Sequence, residues 1–100
     1  MNIVQKTLLK DIDNCLKNTY KLIDRNKASD EVFLETDAQL QIILNDLKKM
    51  ESQLLRNNIP KQEDRFVVYE YFILEWGIRH RFGQELLDVA TRYTYMKNPS

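Results

Sequence analysis

Few side chains in this chain could carry covalent or metal chemistry: Cys15, His80 within Arg79-His80-Arg81, and the carboxylates Glu70 and Glu75. The single Cys and the single His lie 65 positions apart, with no catalytic motif around either. A histidine between two arginines is a poor metal ligand, because the arginines repel a bound cation; it reads as exposed or as a cap on a carbonyl. Glu70 and Glu75, five residues apart, diverge around a helix and form no acid–base pair. Glu75 and Arg79 are spaced for a surface ion pair. Gly77 and Gly83 make no phosphate-binding loop. Cys15 falls in an apolar seam and reads as a small core residue; to react it would need a nearby cation and access. The expectation is a non-enzyme that uses no cofactor and no metal.

The elements that would hold these residues are helical. One hundred residues make one domain, residues 1–100, able to bury about 65% of the unfolded chain's surface. With 43% apolar and 30% charged residues the composition is that of an ordinary soluble globular domain. Two Gly and two Pro leave little material for the many turns of an all-β fold. The lone cysteine excludes an internal disulfide, the N-terminus lacks a signal-peptide layout, and no apolar run approaches the roughly 20 residues of a spanning helix. A cytoplasmic protein is expected, at most peripheral to a membrane.

Periodicity predicts an all-α antiparallel four-helix bundle with helices over residues 2–24, 37–56, 62–82 and 84–96. Leu8, Ile12, Cys15, Thr19 and Leu22 form a heptad seam, flanked by Leu9, Leu16 and Ile23. Arg25 to Asp30 reads as a turn. Val32, Phe33 and Leu34 read as an apolar plug before a helix that Thr36 caps, a helix from Asp30 capped by Ser29 being the rival. Leu40, Ile43, Leu47, Met50 and Leu54 form the second seam, widened by Ile42, Leu44 and Leu55. Asn57 is suited to a left-handed cap before the Pro60 corner.

Residues 65–82 hold the only Trp, three of four Phe and two of five Tyr, with hardly a polar face. They predict a helix buried on all sides, with Gly77 in its interior and Gly83 as its stop. The β-branched and aromatic run makes a strand over residues 66–74 the competing reading, against which stands the lack of a second strand to pair with it. In the last helix Leu86, Leu87, Ala90, Tyr93 and Thr94 point inward, with Val89, Tyr95 and Met96 partly exposed. The expected core comprises Leu8, Ile12, Leu16, Ile43, Leu47, Phe66, Tyr69, Phe72, Ile73, Trp76, Leu86 and Ala90.

Fifteen basic and fifteen acidic residues cancel, nine of each over residues 1–57 and six of each over 58–100. Neither half is a polyanion binder by charge, so nucleic acid is disfavoured as a partner. Near-zero net charge gives little electrostatic defence against self-association, so a monomer or a weak homodimer is expected.

The central stretch resembles the immunity proteins of pediocin-like (class IIa) bacteriocins, the enterocin A immunity family. Arg65, Val67, Tyr69, Tyr71 and Phe72 carry the resemblance, continued through Ile78, Arg81, Phe82 and Glu85-Leu86. Ile43 to Leu54 followed by the Pro60 corner is similar in layout. The N-terminal portion is longer than the family's and the C-terminal tail shorter. The resemblance implies a cytosolic four-helix bundle that protects a bacteriocin producer at the inner face of the membrane. There it would bind the mannose-phosphotransferase permease together with the bacteriocin. The residues placed for partner contact are Arg79, Arg81, Arg92, Tyr93, Tyr95 and Met96, since Arg and Tyr are favoured at interface hot spots. Two other readings stand beside it. One is a phage- or plasmid-type regulatory protein whose heptad seams pair with another chain. The other is a nucleic-acid-binding regulator using Arg79, His80, Arg81 and Arg92.

Overall fold

A computed structural model describes residues 1–29, 33 and 35–97 of the chain. The described residues are all-helical and contain no strand, and four helices pack against one another. Helix α1 spans Ile3–Ala28, α2 Asp37–Leu55, α3 Glu70–Ile73 and α4 Arg81–Tyr95. Short 3₁₀ turns at Gln62–Asp64 and Leu74–Trp76 flank α3, so the third limb of the bundle is a composite. Successive limbs run antiparallel. Asn26 meets Glu35 where α1 gives way to α2, Asp46 of α2 meets Tyr69 of the third limb, and Tyr69 in turn meets Leu86 of α4. Arg92 near the end of α4 reaches Asp11 near the start of α1 and closes the ring.

The ends of α1 and α2 follow from local chemistry. Asn2 accepts from the Gln5 N–H and the Gln5 side chain returns the bond to Asn2, a reciprocal cap that satisfies two orphan donors. Helix α1 runs to Ala28 rather than ending at residue 24, because Arg25 to Ala28 contains no breaker and Arg25 and Lys27 suit the negative end of the dipole. Thr36 caps α2 as expected, with its side chain accepting from Gln39 N. The rival start at Asp30 lies outside the described residues, as do Val32 and Leu34 of the plug. Phe33 is half-buried, with the Arg25 guanidinium 3.9 Å from its ring centre. At the far end Asn57 takes the left-handed conformation (φ 52°), and the amides of Asn57 and Asn58 return to the carbonyls of Leu54 and Gln53. That double closure is the Schellman stop.

Both seams are consumed inside the chain. Leu8, Ile12, Cys15, Thr19 and Ile23 are buried, as are Leu40, Ile43, Leu44, Leu47, Met50 and Leu54. Leu22 and Ile42 are half-buried, while Leu55 is exposed and does not widen the face. Val67, Tyr69, Ile73, Trp76, Leu86, Val89, Ala90, Tyr93 and Met96 complete the same core. Val89 is therefore interior rather than partly exposed.

The expected continuous helix over 62–82 is corrected. Residues 65–69 alternate, with Arg65, Val67 and Tyr69 buried and Phe66 and Val68 exposed, which is the period of extended chain. From Tyr69 onward the buried positions are Tyr69, Ile73 and Trp76, stepping by four and three as a helix requires. Gly77 then takes φ 86°, open to glycine and strained for any other residue, and the helix stops there instead of passing through. Gly83 is not a stop; it lies in the first turn of α4, which begins at Arg81 rather than residue 84. His80 caps that helix, its Nδ1 accepting from Gly83 N at 3.0 Å. Two expected core residues also move: Phe66 is 53% exposed and Phe72 is half-buried.

Candidate partner-binding surface

Where the third limb leaves helical geometry, charged side chains take over its backbone. Arg65 is buried and directs its guanidinium at backbone carbonyls. Its Nε donates to Pro60 O at 2.9 Å, and its Nη1 donates to the carbonyls of Tyr93 (2.9 Å), Thr94 (3.1 Å) and Met96. The last turn of a helix leaves carbonyls without intrahelical partners, and a cation there also suits the dipole. Asp46, buried in α2, accepts from Tyr69 N at 2.9 Å. Burial pushes its carboxyl above the ordinary range, although the Tyr69 and Val68 backbone donors and Lys49 pull the other way. The Tyr69 hydroxyl donates to Leu86 O at 2.6 Å, and the same buried ring holds its phenol well above the ordinary value.

The upper end of the limb is held by opposite charges. Glu35 Oε1 lies 3.1 Å from both Arg25 Nη2 and His80 Nε2. Burial raises its carboxyl, but hydrogen bonds from its own backbone, Arg25 and His80 outweigh that and leave it below the ordinary range. The His80 ring lies 4.6 Å from Trp76, whose Nε1 donates to Gln39 Oε1 at 3.1 Å. His80 is thus a structural cap bridging three segments, neither an exposed residue nor a carbonyl cap.

The residues expected to meet a partner are not brought together. Tyr93 is fully buried, with its hydroxyl bonded to Gln53, and Met96 is buried with its carbonyl held by Arg65. Neither is available to another molecule. Arg92 is half-buried between Asp11 (2.6 Å) and Asp88 (2.7 Å); burial alone would lower its pKa, and the two carboxylates more than reverse that. Arg79, Arg81 and Tyr95 are exposed, but Arg81 and Tyr95 stand at opposite ends of α4, about 21 Å apart along its axis. Glu75 and Arg79 form no ion pair among the described residues.

An open groove of about 690 Å³ separates α1 from α4. Its walls mix Lys17, Lys21 and Arg81 with Asp11, Glu85 and Asp88, with Cys15 at its base. Burial first, then Glu85 and Asp11, push the Cys15 thiol up to about 12, so it stays protonated and unreactive at neutral pH. Among the described residues no group of His, Cys, Asp and Glu could hold a metal ion, and no helix is long and apolar enough to cross a membrane.

The outer side of the third limb is different in kind. Tyr71, Leu74 and Ile78 are 75%, 72% and 84% exposed, and Phe66 and Val68 continue the line. Their spacing of three and four mirrors the buried set of Tyr69, Ile73 and Trp76, so apolar residues occupy both sides of one short limb. Phe66 and Tyr71 support each other with ring centroids 5.8 Å apart. Soluble proteins rarely line up large apolar side chains in this way without a binding use. The signal was present in the sequence as the missing polar face, which reads equally well as burial on all sides. Asp46 and Arg65 also had a signal: each is a charge set within an apolar pattern.

No protein-family model, curated protein or solved structure matches the chain.

Proposed function

We propose that the chain is a non-enzymatic protein-binding module of the bacteriocin-immunity type, acting through the outer strip of its third limb. In this reading it protects the producing cell by binding, at the cytoplasmic face, the mannose-phosphotransferase permease exploited by a pediocin-like bacteriocin. The observation that carries a binding role is the exposure of Phe66, Tyr71, Leu74 and Ile78 along one limb. Two of these residues, Tyr71 and Ile78, are also among those that carry the resemblance to the immunity family. The immunity reading draws its support from that overlap and from the four packed helices.

A regulatory protein pairing through its heptad seams finds less support, since both seams are filled by the chain's own core. A nucleic-acid role is left with Arg79 and Arg81 as unburied cations, because His80 and Arg92 are engaged with carboxylates.

Expression in a sensitive bacterium challenged with a panel of pediocin-like bacteriocins tests the proposal. Protection against at least one member is expected, and its loss in the triple variant Tyr71→Ser/Leu74→Ser/Ile78→Ser. These residues are exposed, so each change should alter stability by no more than about 0.5 kcal/mol, and circular dichroism would confirm the fold. No protection across the panel would end the immunity reading. Full protection by the triple variant would end the role of the strip.

A further inference from the structure

We infer that His80 is an acid-sensitive latch: on taking up a proton its ring releases the start of α4 and stays with Glu35. The two ring nitrogens hold opposite roles. Nδ1 accepts from the Gly83 amide at 3.0 Å, so it carries no hydrogen. The neutral ring therefore keeps its proton on Nε2, 3.1 Å from Glu35 Oε1, and one tautomer is fixed. In an imidazolium both nitrogens are donors. A proton on Nδ1 sets N–H against the N–H of Gly83, and the cap of α4 is lost. The bond to Glu35 needs no such change, because Nε2 still donates and the carboxylate now meets a full positive charge. The new charge also stands at the positive end of a helix dipole, where a cation is disfavoured. Protonation thus trades a hold on two elements for a hold on one.

Charged groups act on this exchange from each packed element. Arg25 of α1 shares Glu35 Oε1 at 3.1 Å, and Arg79 and Arg81 flank the ring along the chain. Glu85 of α4 lies 3.9 Å from Arg81 Nε. The third limb faces the ring with uncharged Trp76, and α2 reaches the corner through neutral Gln39 on that Trp. Among the described residues Glu35 is the one acid bonded to the ring. Burial alone would raise the Glu35 carboxyl, but bonds from its own backbone, Arg25 and His80 hold it below the ordinary range, so it stays charged while an imidazole titrates. What the latch holds is the turn that follows Gly77. His80 N donates to Gly77 O at 3.2 Å, Gln84 N donates to His80 O at 3.1 Å, and Gln84 Nε2 reaches Ile78 O. Loss of the cap loosens the first turn of α4 and with it the anchorage of this turn. The device does not depend on what the exposed strip binds.

The test is a titration of isotopically labelled protein between about pH 8 and pH 5, the range in which histidine changes charge, followed by nuclear magnetic resonance. At the alkaline end the ring nitrogens should show the Nε2–H tautomer. As the ring takes up its proton, the Gly83 amide should shift with the same midpoint. Exchange protection of the Gln84 and Glu85 amides, corrected for intrinsic rates, should fall about fivefold, the scale of a lost N-cap. Contacts between the ring protons and Glu35 should persist in acid. His80→Asn keeps an acceptor for Gly83 N–H and has nothing to titrate, so its Gly83 shift should lose the pH dependence. An Nδ1–H tautomer at the alkaline end, a Gly83 amide that ignores the ring, or protection unchanged across the titration would overturn the inference. So would a ring that leaves Glu35 in acid, or the same Gly83 titration in His80→Asn. The wild-type titration decides the matter even if the variant fails to fold.

Discussion

The two ends of the third limb hold buried charge by different means. At the lower end Arg65 meets the carbonyls of Pro60, Tyr93, Thr94 and Met96, and Asp46 meets the amide of Tyr69, with Lys49 acting on Asp46 through charge but without a hydrogen bond to it. At the upper end Glu35 is answered by two side chains, the Arg25 guanidinium and the His80 ring. The consequence appears in the carboxyl groups: Asp46 is raised and Glu35 lowered, although both are buried. Backbone donors and a cation that makes no hydrogen bond leave the desolvation of Asp46 dominant, whereas an Arg25 guanidinium hydrogen-bonded to Glu35 helps to outweigh it. A limb without regular helical bonding needs such groups because its backbone would otherwise be buried unpaired.

The largest effect should come from Arg65. Replacing it by Met keeps an apolar stem but leaves carbonyls of the α4 end and of the Pro60 corner without their donor. A loss of about 3 kcal/mol in urea unfolding is expected. A loss below about 1 kcal/mol would mean that water serves those carbonyls equally well and that the lower end is not organised by Arg65.

Asp46 sharpens the comparison through a pair of variants. Asp46→Ala removes the acceptor for the Tyr69 amide and should cost about 1–3 kcal/mol. Asp46→Asn keeps an oxygen acceptor, sheds the desolvated charge, and should be neutral or stabilising at pH 7. The sign follows from linkage: a carboxyl raised in the folded state favours folding below its unfolded value, ordinarily 3.8, and loses that contribution as pH rises through the folded value. Equal losses for Ala and Asn at pH 7 would break this account.

The smallest effect belongs to Glu35. Its lowered carboxyl contributes stability above the ordinary value of 4.5, which is lost as pH falls through the lower folded value. Glu35→Gln should therefore cost about 1–2 kcal/mol at pH 7 and progressively less in acid, where the wild type gives up the same contribution. Unfolding measured between pH 7 and 3 would show the two curves converging. Curves that stay parallel would mean that Glu35 packs rather than pairs.

Much of the fold could be read because its signals were local and single-valued. Thr36 before Asp37 and Asn57 before Pro60 bound α2 closely, and the two seams are buried nearly as spaced. Cys15 is a core residue with a protonated thiol, in keeping with its place in the seam. The candidate site was far less legible. Tyr93 and Met96 look like interface residues by type, yet they lie inside, while Phe66 looks like core and lies outside. Residue type ranks what a side chain can do; only its neighbours decide whether a partner can reach it.

By itself, then, the sequence determined the all-helical class, the first two helices and the residues that bound α2, because caps and 3.6-residue periodicity act within a few positions along the chain. Helix α1 instead runs through the turn expected from Arg25 and ends at Ala28. The third limb was decided by tertiary structure. With apolar residues at nearly every position from Phe66 to Ile78, no period distinguishes an inner side from an outer one. The choice fell to contacts distant in sequence: Asp46 on Tyr69, Arg65 on the end of α4, and Glu35 on His80. These contacts and the left-handed turn at Gly77 turned Tyr69, Ile73 and Trp76 inward and left Tyr71, Leu74 and Ile78 facing out.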